Sequence, residues 1–484
     1  MSVTVGSAGR DKCVIDYSAS SSLSTLNAAR RPPPVAPHAP PRFRRPSCRR
    51  PLTSPPPRTA RRSALLRPIA GGGLLAAEAA IAKDKVINLP GFGVPMTDTY
   101  SGYLDIGDGK HLHYLFYASQ GTPSTDPVVA WYNGGPGCSS LEGGFQESGP
   151  YWTTTGGTTL QKNEYSWNLF ANNLFIEAPA GVGFSYCDTP AGCSHNDTST
   201  AADNLKSLEL FFQGFPEFAA NDFWITGESY AGIYIPSLAY DIVTSGSKIN
   251  LKGILVGNGC LGNTVGVCGN NLYGDYLSLA QYHGHGFISD RAMAAANAAC
   301  GDWSTNSPAC RTAARAAMNE VGNHDVYDLY AGVYGSCAYG ARKGLAPVPR
   351  TRAPSARPVH EGSLLAEHFA THGFGNTCTD DQDLTTYMGA DATVAALHVK
   401  APNGGWQECG GIQYNSDIAD ERTKIYPTLI AAKLNIVIYN GEADACVPIT
   451  DNQVSTPAAP VLEPRRRRRL LPPNNPTHLT LTPN

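Results

Sequence analysis

A serine lies in a glycine-rich segment near the middle of the chain, directly after an apolar run. Residues 223–225 are Phe-Trp-Ile, residues 227–232 read Gly-Glu-Ser-Tyr-Ala-Gly, and helical sequence follows. A strand, a sharp turn and a helix in this order present a serine hydroxyl at a helix N-terminus, the arrangement called a nucleophile elbow. Ala231 replaces the second glycine of G-x-S-x-G, so the short pattern alone is weak, but its surroundings favour Ser229 as a nucleophile for acyl transfer.

A second glycine-rich segment, residues 133–140, reads Asn-Gly-Gly-Pro-Gly-Cys-Ser-Ser and follows an apolar run that ends at Tyr132. Glycines let backbone N–H groups come close to a substrate oxygen, as an oxyanion hole requires. A Gly/Pro turn without a chemical role is the alternative. A segment so dense in glycine, beside a separate elbow, favours the oxyanion hole.

An acidic residue, Asp444, follows the last apolar run of the chain, residues 436–439. In α/β hydrolases the catalytic residues come in the chain order serine, acid, histidine. Asp444 therefore fits the acid that orients an imidazole. An acid that only caps the end of a strand is the alternative.

The segments that must position these residues read as alternating strands and helices from about Ile87. Helical sequence covers, for example, residues 199–213 and 417–433, and the order predicts an open α/β sheet with helices on both faces. Between about 260 and 390, Ala-rich helical sequence, cysteines and a Pro/Arg stretch predict an inserted lid over the sheet edge where such folds bind ligands. Five short apolar runs predict buried parallel strands, at residues 128–132, 173–176, 223–225, 254–256 and 436–439.

Charge is distributed unevenly along the 484 residues, whose formal net charge is −3. Residues 1–68 carry +11 and residues 453–484 carry +4, which leaves −18 for residues 69–452. An acidic body between two basic ends does not resemble a nucleic-acid binder, whose basic residues lie on a folded face, so no nucleic-acid partner is expected. The 42% hydrophobic content excludes a wholly disordered or collagen-like protein.

Both ends of the chain lack the apolar pattern of a folded domain. Pro/Arg-rich sequence predicts disorder over residues 1–68 and 453–484. Residues 69–86 resemble a secretory signal but start late in the chain, which suggests a reading frame opened upstream of the true start; a plastid-type transit peptide is the competing interpretation. No apolar run reaches 18 residues, so we expect no membrane span.

The thirteen cysteines include three close pairs, Cys187/Cys193, Cys260/Cys268 and Cys300/Cys310. None of these pairs has the C-x2-4-C spacing of a zinc site. Their spacing favours disulfides formed in an oxidising compartment. We therefore expect no metal.

Four sequence blocks together resemble the serine carboxypeptidases: residues 133–140 and 227–234, Glu-Ala-Pro-Ala-Gly-Val-Gly-Phe-Ser-Tyr at 177–186, and Tyr-Ser-Trp-Asn at 165–168. The resemblance covers about 87–452. It implies an α/β-hydrolase fold with a mostly parallel sheet and an inserted helical lid. It further implies an enzyme that removes C-terminal residues from peptides or proteins at acidic pH. It also implies a glycosylated, disulfide-bonded protein of a vacuole, a lysosome or the secreted route, without a cofactor. The oligomeric state is not predicted.

The resemblance assigns roles to individual residues. Two carboxyls that share a proton have one raised pKa, and while protonated such a pair can donate a hydrogen bond to a substrate carboxylate, which explains peptide binding in acid. An unrelated, solvated Glu147 is the alternative. The implied roles are nucleophile for Ser229, triad acid for Asp444, oxyanion hole for the backbone N–H groups of Gly135 and Tyr230, and a clamp on the substrate carboxylate for Asn133, Gly134, Glu228 and Glu147.

The resemblance also suggests the disulfide Cys138–Cys409, which would tie the oxyanion segment to residues 405–409. Cys446 then stays unpaired, near the site. The N-x-S/T sequence at Asn196 predicts a surface glycan. For the other cysteines we expect Cys187–Cys193, Cys260–Cys268, Cys300–Cys310 and Cys337–Cys378.

The general base is the missing part of this pattern. The family has a Gly-His element some fifty residues after the acid, whereas His478 is the only histidine after Asp444 and no glycine precedes it. His283 and His285 come before the acid, in the wrong order, as does His398, which we assign to a structural helix. The chain as written is expected to be impaired.

Three interpretations of the function remain open. The chain derives from a truncated or mis-spliced reading frame of an active peptidase, or it is a catalytically dead relative that binds peptide C-termini. An acyltransferase of the same fold is the third. Such acyltransferases commonly carry Asp in place of Glu228 and Ser in place of Ala231, so residues 227–231 favour the peptidase.

Overall fold

Eight strands form the central sheet of the computed structural model, which describes residues 82–269, 271–322, 324–330, 364, 381–410 and 412–455. Two short strand pairs lie apart from this sheet. The strands are β1 (Thr99–Gly107), β2 (Lys110–Tyr117), β3 (Val128–Tyr132), β4 (Tyr151–Thr153), β5 (Leu160–Lys162), β6 (Asn172–Ile176), β7 (Tyr186–Cys187), β8 (Ser194–Asn196), β9 (Phe223–Ser229), β10 (Leu251–Gly259), β11 (Gln413–Asn415) and β12 (Asn435–Tyr439).

The sheet has the order β1-β2-β6-β3-β9-β10-β12, with β7 beside β2. Strands β6, β3, β9, β10 and β12 are mutually parallel neighbours, and they contain the five runs predicted as parallel strands. Every residue of β3 and β6 is buried, as expected for parallel strands covered on both faces. The predicted α/β-hydrolase type of sheet is therefore confirmed.

The antiparallel hairpin of β1 and β2 was not predicted from the sequence. Its turn has positive φ at both central residues, 53° at Asp108 and 69° at Gly109. An Asp-Gly pair between two alternating runs is the local signature of such a turn. The signal was present in the sequence, at residues 107–110.

Nine helices follow or connect the strands within the described residues. The helix predicted over 199–213 is α1, and it begins with a capping box in which Asn196 and Ser199 bond each other's backbone. The helices are α1 (Asp197–Gly214), α2 (Ala231–Ser245), α3 (Leu272–Gly284), α4 (Asp290–Cys300), α5 (Pro308–Met318), α6 (Asp381–Met388), α7 (Asp391–Ala396), α8 (Ile425–Ala431) and α9 (Ile449–Ser455). In the part of the chain that the model describes, none of them has the length and apolar character needed to cross a membrane.

The helix predicted over 417–433 was wrong in its first half, because only α8 is helical. The backbone N–H groups of Asp417 and Ile418 donate to Asp197 Oδ2, at 2.7 and 2.8 Å. A buried carboxylate that takes both of these donors holds the segment in a non-helical conformation.

Side chains of the central strands alternate between two apolar layers. On one face Phe116 packs against Phe211 and Phe215, which belong to α1 and the turn after it. On the other face Tyr117 packs with Phe145 and Tyr151. Each such ring contributes about 1.5–3 kcal/mol by leaving water, so the sheet is held rigidly between the layers.

Helices α3, α4 and α5 follow β10, in the region predicted as the lid. Gln281 on α3 donates from Nε2 to the carbonyl oxygens of Glu442 and Asp444, at 2.7 and 3.1 Å. The lid region therefore contacts the loop that carries the predicted triad acid. Most of residues 331–380, including Cys337 and Cys378, lie outside the described residues.

The folded domain extends beyond both of its predicted ends. Asp84 and Val86 form backbone hydrogen bonds with Ser101 and Thr99 of β1, both at 2.8 Å, so part of the signal-like segment 69–86 belongs to the sheet layer. At the other end α9 runs past Asn452, the last residue of the predicted domain. The predicted disordered segment 1–68 and most of 453–484 lie outside the described residues.

Candidate active site

Ser229 is the last residue of β9, and α2 begins two residues later. Its φ of 59° is in the left-handed region, which costs a non-glycine residue of order 1–3 kcal/mol and recurs at active sites. Within the described residues its hydroxyl has no hydrogen-bond partner. The strand–turn–helix predicted for the elbow is thus formed, with the hydroxyl available to a ligand.

The glycine-rich segment 133–140, which we call the oxyanion loop, lies against the elbow. A Cβ on Gly134 would stand 2.5 Å from the Tyr230 backbone nitrogen and 2.7 Å from Ser229 Cβ, so only glycine permits this approach. The backbone N–H groups of Gly135 and Tyr230 have no acceptor among the described residues. Two free donors beside a serine hydroxyl are what an oxyanion hole requires.

The oxyanion loop is tied to residues 408–410. Cys138 and Cys409 form a disulfide, Ser139 N–H donates to the Glu408 carbonyl at 2.7 Å, and Gly410 N–H donates to the Gly137 carbonyl at 3.0 Å. The cysteine pair suggested by the resemblance is therefore present, and it ties the loop to residues 408–410.

Asn133, Glu147 and Glu228 meet at the start of the oxyanion loop. Asn133 Nδ2 lies 3.2 Å from Glu147 Oε1 and 3.3 Å from Glu228 Oε1. The oxygen of the Asn133 amide determines the orientation of the group. Asn133 Oδ1 accepts from Trp131 Nε1 at 2.8 Å and from Gly143 N–H at 3.1 Å. The model thus brings together the three side chains predicted to clamp a substrate carboxylate.

A third carboxyl, that of Glu142, was not predicted from the sequence. Its Oε2 lies 3.3 Å from Asn133 Nδ2. Residues 143–147 form a single wide turn, and this turn places Glu142 and Glu147 on the same side of Asn133. No pattern in the sequence indicates such a turn, because it depends on the packing of Gly143 against Trp131.

Burial raises the pKa of Glu147 well above its ordinary value, and the negative charge of Glu228 raises it further. Burial also raises the pKa of Glu228, with Asn133 partly opposing this. Oxygen atoms of the two carboxyls lie within 4.8 Å of each other. Such a pair holds a shared proton at acidic pH, when it can donate to an anion.

Two groups of side chains have the spacing of metal ligands in the described ranges. Oxygen atoms of Glu142, Glu147 and Glu228 lie within 4.8 Å of one another, but the Asn133 amide donates into their midst, and a shared proton fits this better than a cation. In the second group, with His195, the sulfurs of Cys187 and Cys193 form a disulfide and cannot act as thiolates.

Asp444 lies in the loop between β12 and α9. It accepts from Cys446 N–H at 2.7 Å and from Val447 N–H at 3.3 Å, and Asn258 holds the same loop by accepting from Gly441 N–H at 2.7 Å. Burial raises the pKa of Asp444 to about 7, although the two backbone donors lower it. Its carboxyl is therefore mainly protonated in acid unless a cation lies beside it.

The histidines weighed as a general base are bonded elsewhere. His283 lies 2.9 Å from Asp290, His285 lies 2.8 Å from the Gln281 carbonyl, and His398 lies 3.3 Å from the Ser101 carbonyl. The assignment of His398 to a helix was wrong, because it follows α7 with a φ of 55°. His478 lies outside the described residues.

Comparison with known proteins places this geometry in a family. The model of the serine carboxypeptidase family matches residues 90–468. The chain belongs to the serine carboxypeptidase family. The lysosomal protective protein of Mus musculus is 36% identical to it over 386 residues, which are 76% of this chain and 79% of that protein. Serine carboxypeptidase 1 of Hordeum vulgare is 32% identical over 411 residues, 77% of this chain and 80% of that protein.

A solved structure supports the same fold. A prohormone-processing carboxypeptidase from Saccharomyces cerevisiae, Kex1(delta)p, superimposes with a TM-score of 0.54 at 19% identity, over 77% of this chain and 80% of that one. The resemblance recognised in the four sequence blocks is therefore confirmed, and by this resemblance the protein is an enzyme of the serine carboxypeptidase kind.

Three further disulfides of this serine carboxypeptidase are formed as expected: Cys187–Cys193, Cys260–Cys268 and Cys300–Cys310. Cys446 is free and buried, and its backbone N–H contacts Asp444. The Asn196 side chain is half-buried and caps α1 by accepting from Ser199 N–H at 2.7 Å. A glycan on Asn196 stays a prediction.

Proposed function

We propose that this serine carboxypeptidase releases C-terminal residues from peptides through an acyl-enzyme on Ser229. The observation that carries the proposal is the placement of Asn133 and the Glu147/Glu228 pair beside the elbow. A clamp for a free carboxylate next to a nucleophile selects the last peptide bond of a chain. An endopeptidase or a simple esterase has no use for such a clamp.

The proposed reaction uses the groups around the elbow in sequence. Ser229 Oγ attacks the carbonyl carbon of the last peptide bond and loses its proton to an imidazole base. Within the described residues no histidine hydrogen bonds to the Ser229 hydroxyl, so this base is the part of the proposal that those residues lack. The Gly135 and Tyr230 N–H groups stabilise the oxyanion, a contribution worth about 2.7–4 kcal/mol for one donor. The C-terminal residue leaves as an amine that takes the proton, and water then hydrolyses the ester. Asp444 orients the imidazole and stabilises its charged form.

Acidic pH is required by the clamp in this proposal. The raised pKa values keep a proton on the Glu147/Glu228 pair in acid, and that proton is donated to the substrate carboxylate. As the pH rises through these raised values, the pair becomes a dianion that repels the substrate. The affinity for peptides with a free C-terminus is therefore highest in acid and is lost as the pH rises.

Hydrolysis of a peptide and of its C-terminal amide tests the proposal. From an active peptidase we expect release of the last residue from the free acid at pH 5, at least tenfold slower release from the amide, and none from Ser229→Ala. A chain without a general base should release it only slowly. Equal rates on acid and amide would contradict the clamp. Transfer of the acyl group to an added alcohol, in place of hydrolysis, would support the acyltransferase instead.

An organophosphonate distinguishes an active peptidase from a relative that only binds peptide C-termini. Such reagents label a serine only when an imidazole activates it. Labelling at Ser229 supports the peptidase. Peptide binding measured by calorimetry, without labelling, supports the catalytically dead relative.

We also propose the secretory route, ending in a vacuole, a lysosome or the extracellular space, as the location of the protein. Four disulfides within the described residues support an oxidising compartment over a reducing one. A mass shift on treatment with a glycosidase, absent from Asn196→Gln, would test both the route and the glycan. Plastid import of a labelled full-length chain is the competing outcome.

A further inference from the structure

Glu177 and His113 form a buried pair beneath the oxyanion loop. Both side chains are fully inaccessible, and no step of the proposed reaction uses either of them. Burying two ionisable groups is costly unless they pair and their remaining donors and acceptors are satisfied. The partners of this pair therefore show which protonation states the fold requires.

Four donors surround the Glu177 carboxyl. Its Oε1 accepts from Ser139 Oγ and from Trp406 Nε1, the latter at 3.2 Å. Its Oε2 accepts from Phe184 N–H at 2.9 Å and lies 2.7 Å from His113 Nδ1. Three donors besides His113, namely Ser139 Oγ, Trp406 Nε1 and Phe184 N–H, point at the carboxyl oxygens, and such hydrogen bonds favour a carboxylate at residue 177.

The hydrogen bond at the other ring nitrogen of His113 bears on the charge of the imidazole. His113 Nε2 lies 2.8 Å from Ser101 Oγ, and Ser101 Oγ lies 2.6 Å from the Leu397 carbonyl oxygen. The single hydroxyl hydrogen of Ser101 is used toward the carbonyl, which can only accept. Ser101 Oγ must then accept from His113 Nε2, so this nitrogen carries hydrogen, and beside a Glu177 carboxylate Nδ1 carries hydrogen as well.

Two aromatic rings and two further titratable groups lie around His113. The rings of Tyr103 and Phe184 stand edge-on to the imidazole, at centroid distances of 5.8 and 5.6 Å. Asp84 is the second acid of this region, bonded to Tyr114, and His398 is the second histidine, beyond Ser101. Glu177 is the only carboxylate that contacts the His113 ring within the described residues.

The pair is connected to the oxyanion loop through Ser139. Ser139 Oγ donates to Glu177 and accepts from Leu141 N–H at 3.1 Å, at the point where the loop ends. On the far side of the carboxyl, a Cβ on Gly183 would stand 1.7 Å from Glu177 Oε1, so the chain closes round the carboxylate only because residue 183 is glycine. Glu177 thus joins the loop to β2 and to Trp406.

We propose that Glu177, held ionised by a doubly protonated His113, is a positioning residue for the oxyanion loop. Its effect on catalysis rests on the proposed function, but the charge of the pair and the order of the loop do not. Loss of the carboxylate would release Ser139 and Trp406 together. Gly135 N–H would then no longer be held toward the site that the oxyanion occupies.

Nitrogen NMR on histidine-labelled protein tests the charge of the pair. At pH 7.5, where an exposed histidine is mainly neutral, we expect both His113 ring nitrogens to show attached hydrogen, and Glu177→Gln to remove one. His195 is the internal control, since it is buried, its Nε2 bonds the Ala180 carbonyl, and its Nδ1 has no partner in the described structure. A neutral His113 ring at this pH overturns the assignment.

Hydrogen–deuterium exchange tests the positioning role without requiring activity. In Glu177→Gln and His113→Gln we expect at least tenfold faster exchange in residues 133–141, with the control His195→Gln unchanged and all three variants folded. Global unfolding would speed exchange in β9 as well, so a loop-specific change is required. Exchange in 133–141 within twofold of the wild type overturns the positioning role.

The rate of phosphonate labelling at Ser229 links the pair to chemistry. We expect Glu177→Gln to react about tenfold or more slowly than the wild type, and the double variant to lose less than the product of the single losses, since two coupled partners are not additive. An unreactive wild type would contradict the proposed function and leave the exchange result to decide on the loop. A reactive wild type with an equally reactive Glu177→Gln overturns the positioning role.

Discussion

The Glu147 and Glu228 carboxyl groups share the Asn133 amide, whose Nδ2 lies 3.2 Å from Glu147 Oε1 and 3.3 Å from Glu228 Oε1, next to the strained residue Ser229. The two acids are far apart in the sequence. Glu147 ends the wide turn of residues 143–147, and Glu228 belongs to β9. The carboxyl pair that binds the substrate titrates, whereas the Ser229 hydroxyl does not. Substrate affinity and the reactivity of Ser229 should therefore respond differently to pH.

Substitution Glu147→Gln should flatten the dependence of KM on pH. The variant keeps the volume of the side chain but removes one titrating carboxyl and the repulsion that keeps the pair protonated. We expect KM for a peptide acid to rise about tenfold at pH 5 and to change little between pH 5 and 7, while the wild-type KM rises steeply. Steady-state kinetics on the acid and the matched amide measure this, and an unchanged pH profile would refute the shared proton.

Substitution Gly134→Ala should abolish the reactivity of Ser229. The added Cβ would lie 2.5 Å from the Tyr230 backbone nitrogen, and neither backbone segment can move aside cheaply. We expect phosphonate labelling to fall by about a hundredfold, the effect of losing one oxyanion donor. The matched control is Gly284→Ala at the end of α3, where a Cβ meets nothing within 4 Å. Equal labelling of both variants would count against the oxyanion hole.

Substitution Asp444→Asn should change the dependence of stability on pH. The folded-state pKa of about 7 exceeds the unfolded value, so the ionised form is disfavoured in the folded state. The contribution of Asp444 to stability is therefore fully present below about pH 4, falls as the pH rises toward 7, and then levels off. The variant lacks this contribution, and relative to it the wild type should lose about 4 kcal/mol of unfolding free energy between pH 4 and 8.

Urea unfolding of both proteins at pH 4, 6 and 8 gives the measurement. Because other buried acids titrate in both proteins, only the difference between the two curves is interpreted. A wild type that gains stability relative to Asp444→Asn as the pH rises would show the opposite sign. That result would mean that a cation lies beside Asp444 in the folded protein.

Substitution Asp197→Asn should destabilise the fold and slow Ser229 together. Asp197 accepts from the Tyr230 and Tyr414 hydroxyls, both at 2.8 Å, from Asn263 Nδ2 at 2.9 Å and from two backbone N–H groups. The NH2 group of an asparagine would face several of these donors and could not accept from them. We expect a loss of about 3 kcal/mol in unfolding free energy, since buried donors are left unpaired. Tyr414→Phe removes only one hydrogen bond and should lose about 1 kcal/mol. Equal losses of unfolding free energy in the two variants would contradict the role of Asp197 as the common acceptor of these five hydrogen bonds.

The elbow, the oxyanion loop and the five parallel strands could be predicted because each is a local pattern. A run of apolar residues, a glycine-rich turn and the start of a helix are adjacent in the chain, and backbone sterics alone restrict what such a segment can form. The same local reasoning misplaced the start of α8, where a carboxylate from α1 captures the backbone of Asp417 and Ile418. It also placed His398 in a helix that ends before it.

The sequence by itself determined which residues could do chemistry: Ser229, Asp444 and the glycine-rich loop are recognisable by type and order alone. Only the tertiary structure decided that Glu142 joins the carboxyl pair, that Asn133 is turned toward it, and that Glu177 and His113 pair beneath the oxyanion loop. These facts depend on hydrogen bonds between strands and loops far apart in the chain. Their geometry follows from strand order and packing, which the periodicity of the sequence does not contain.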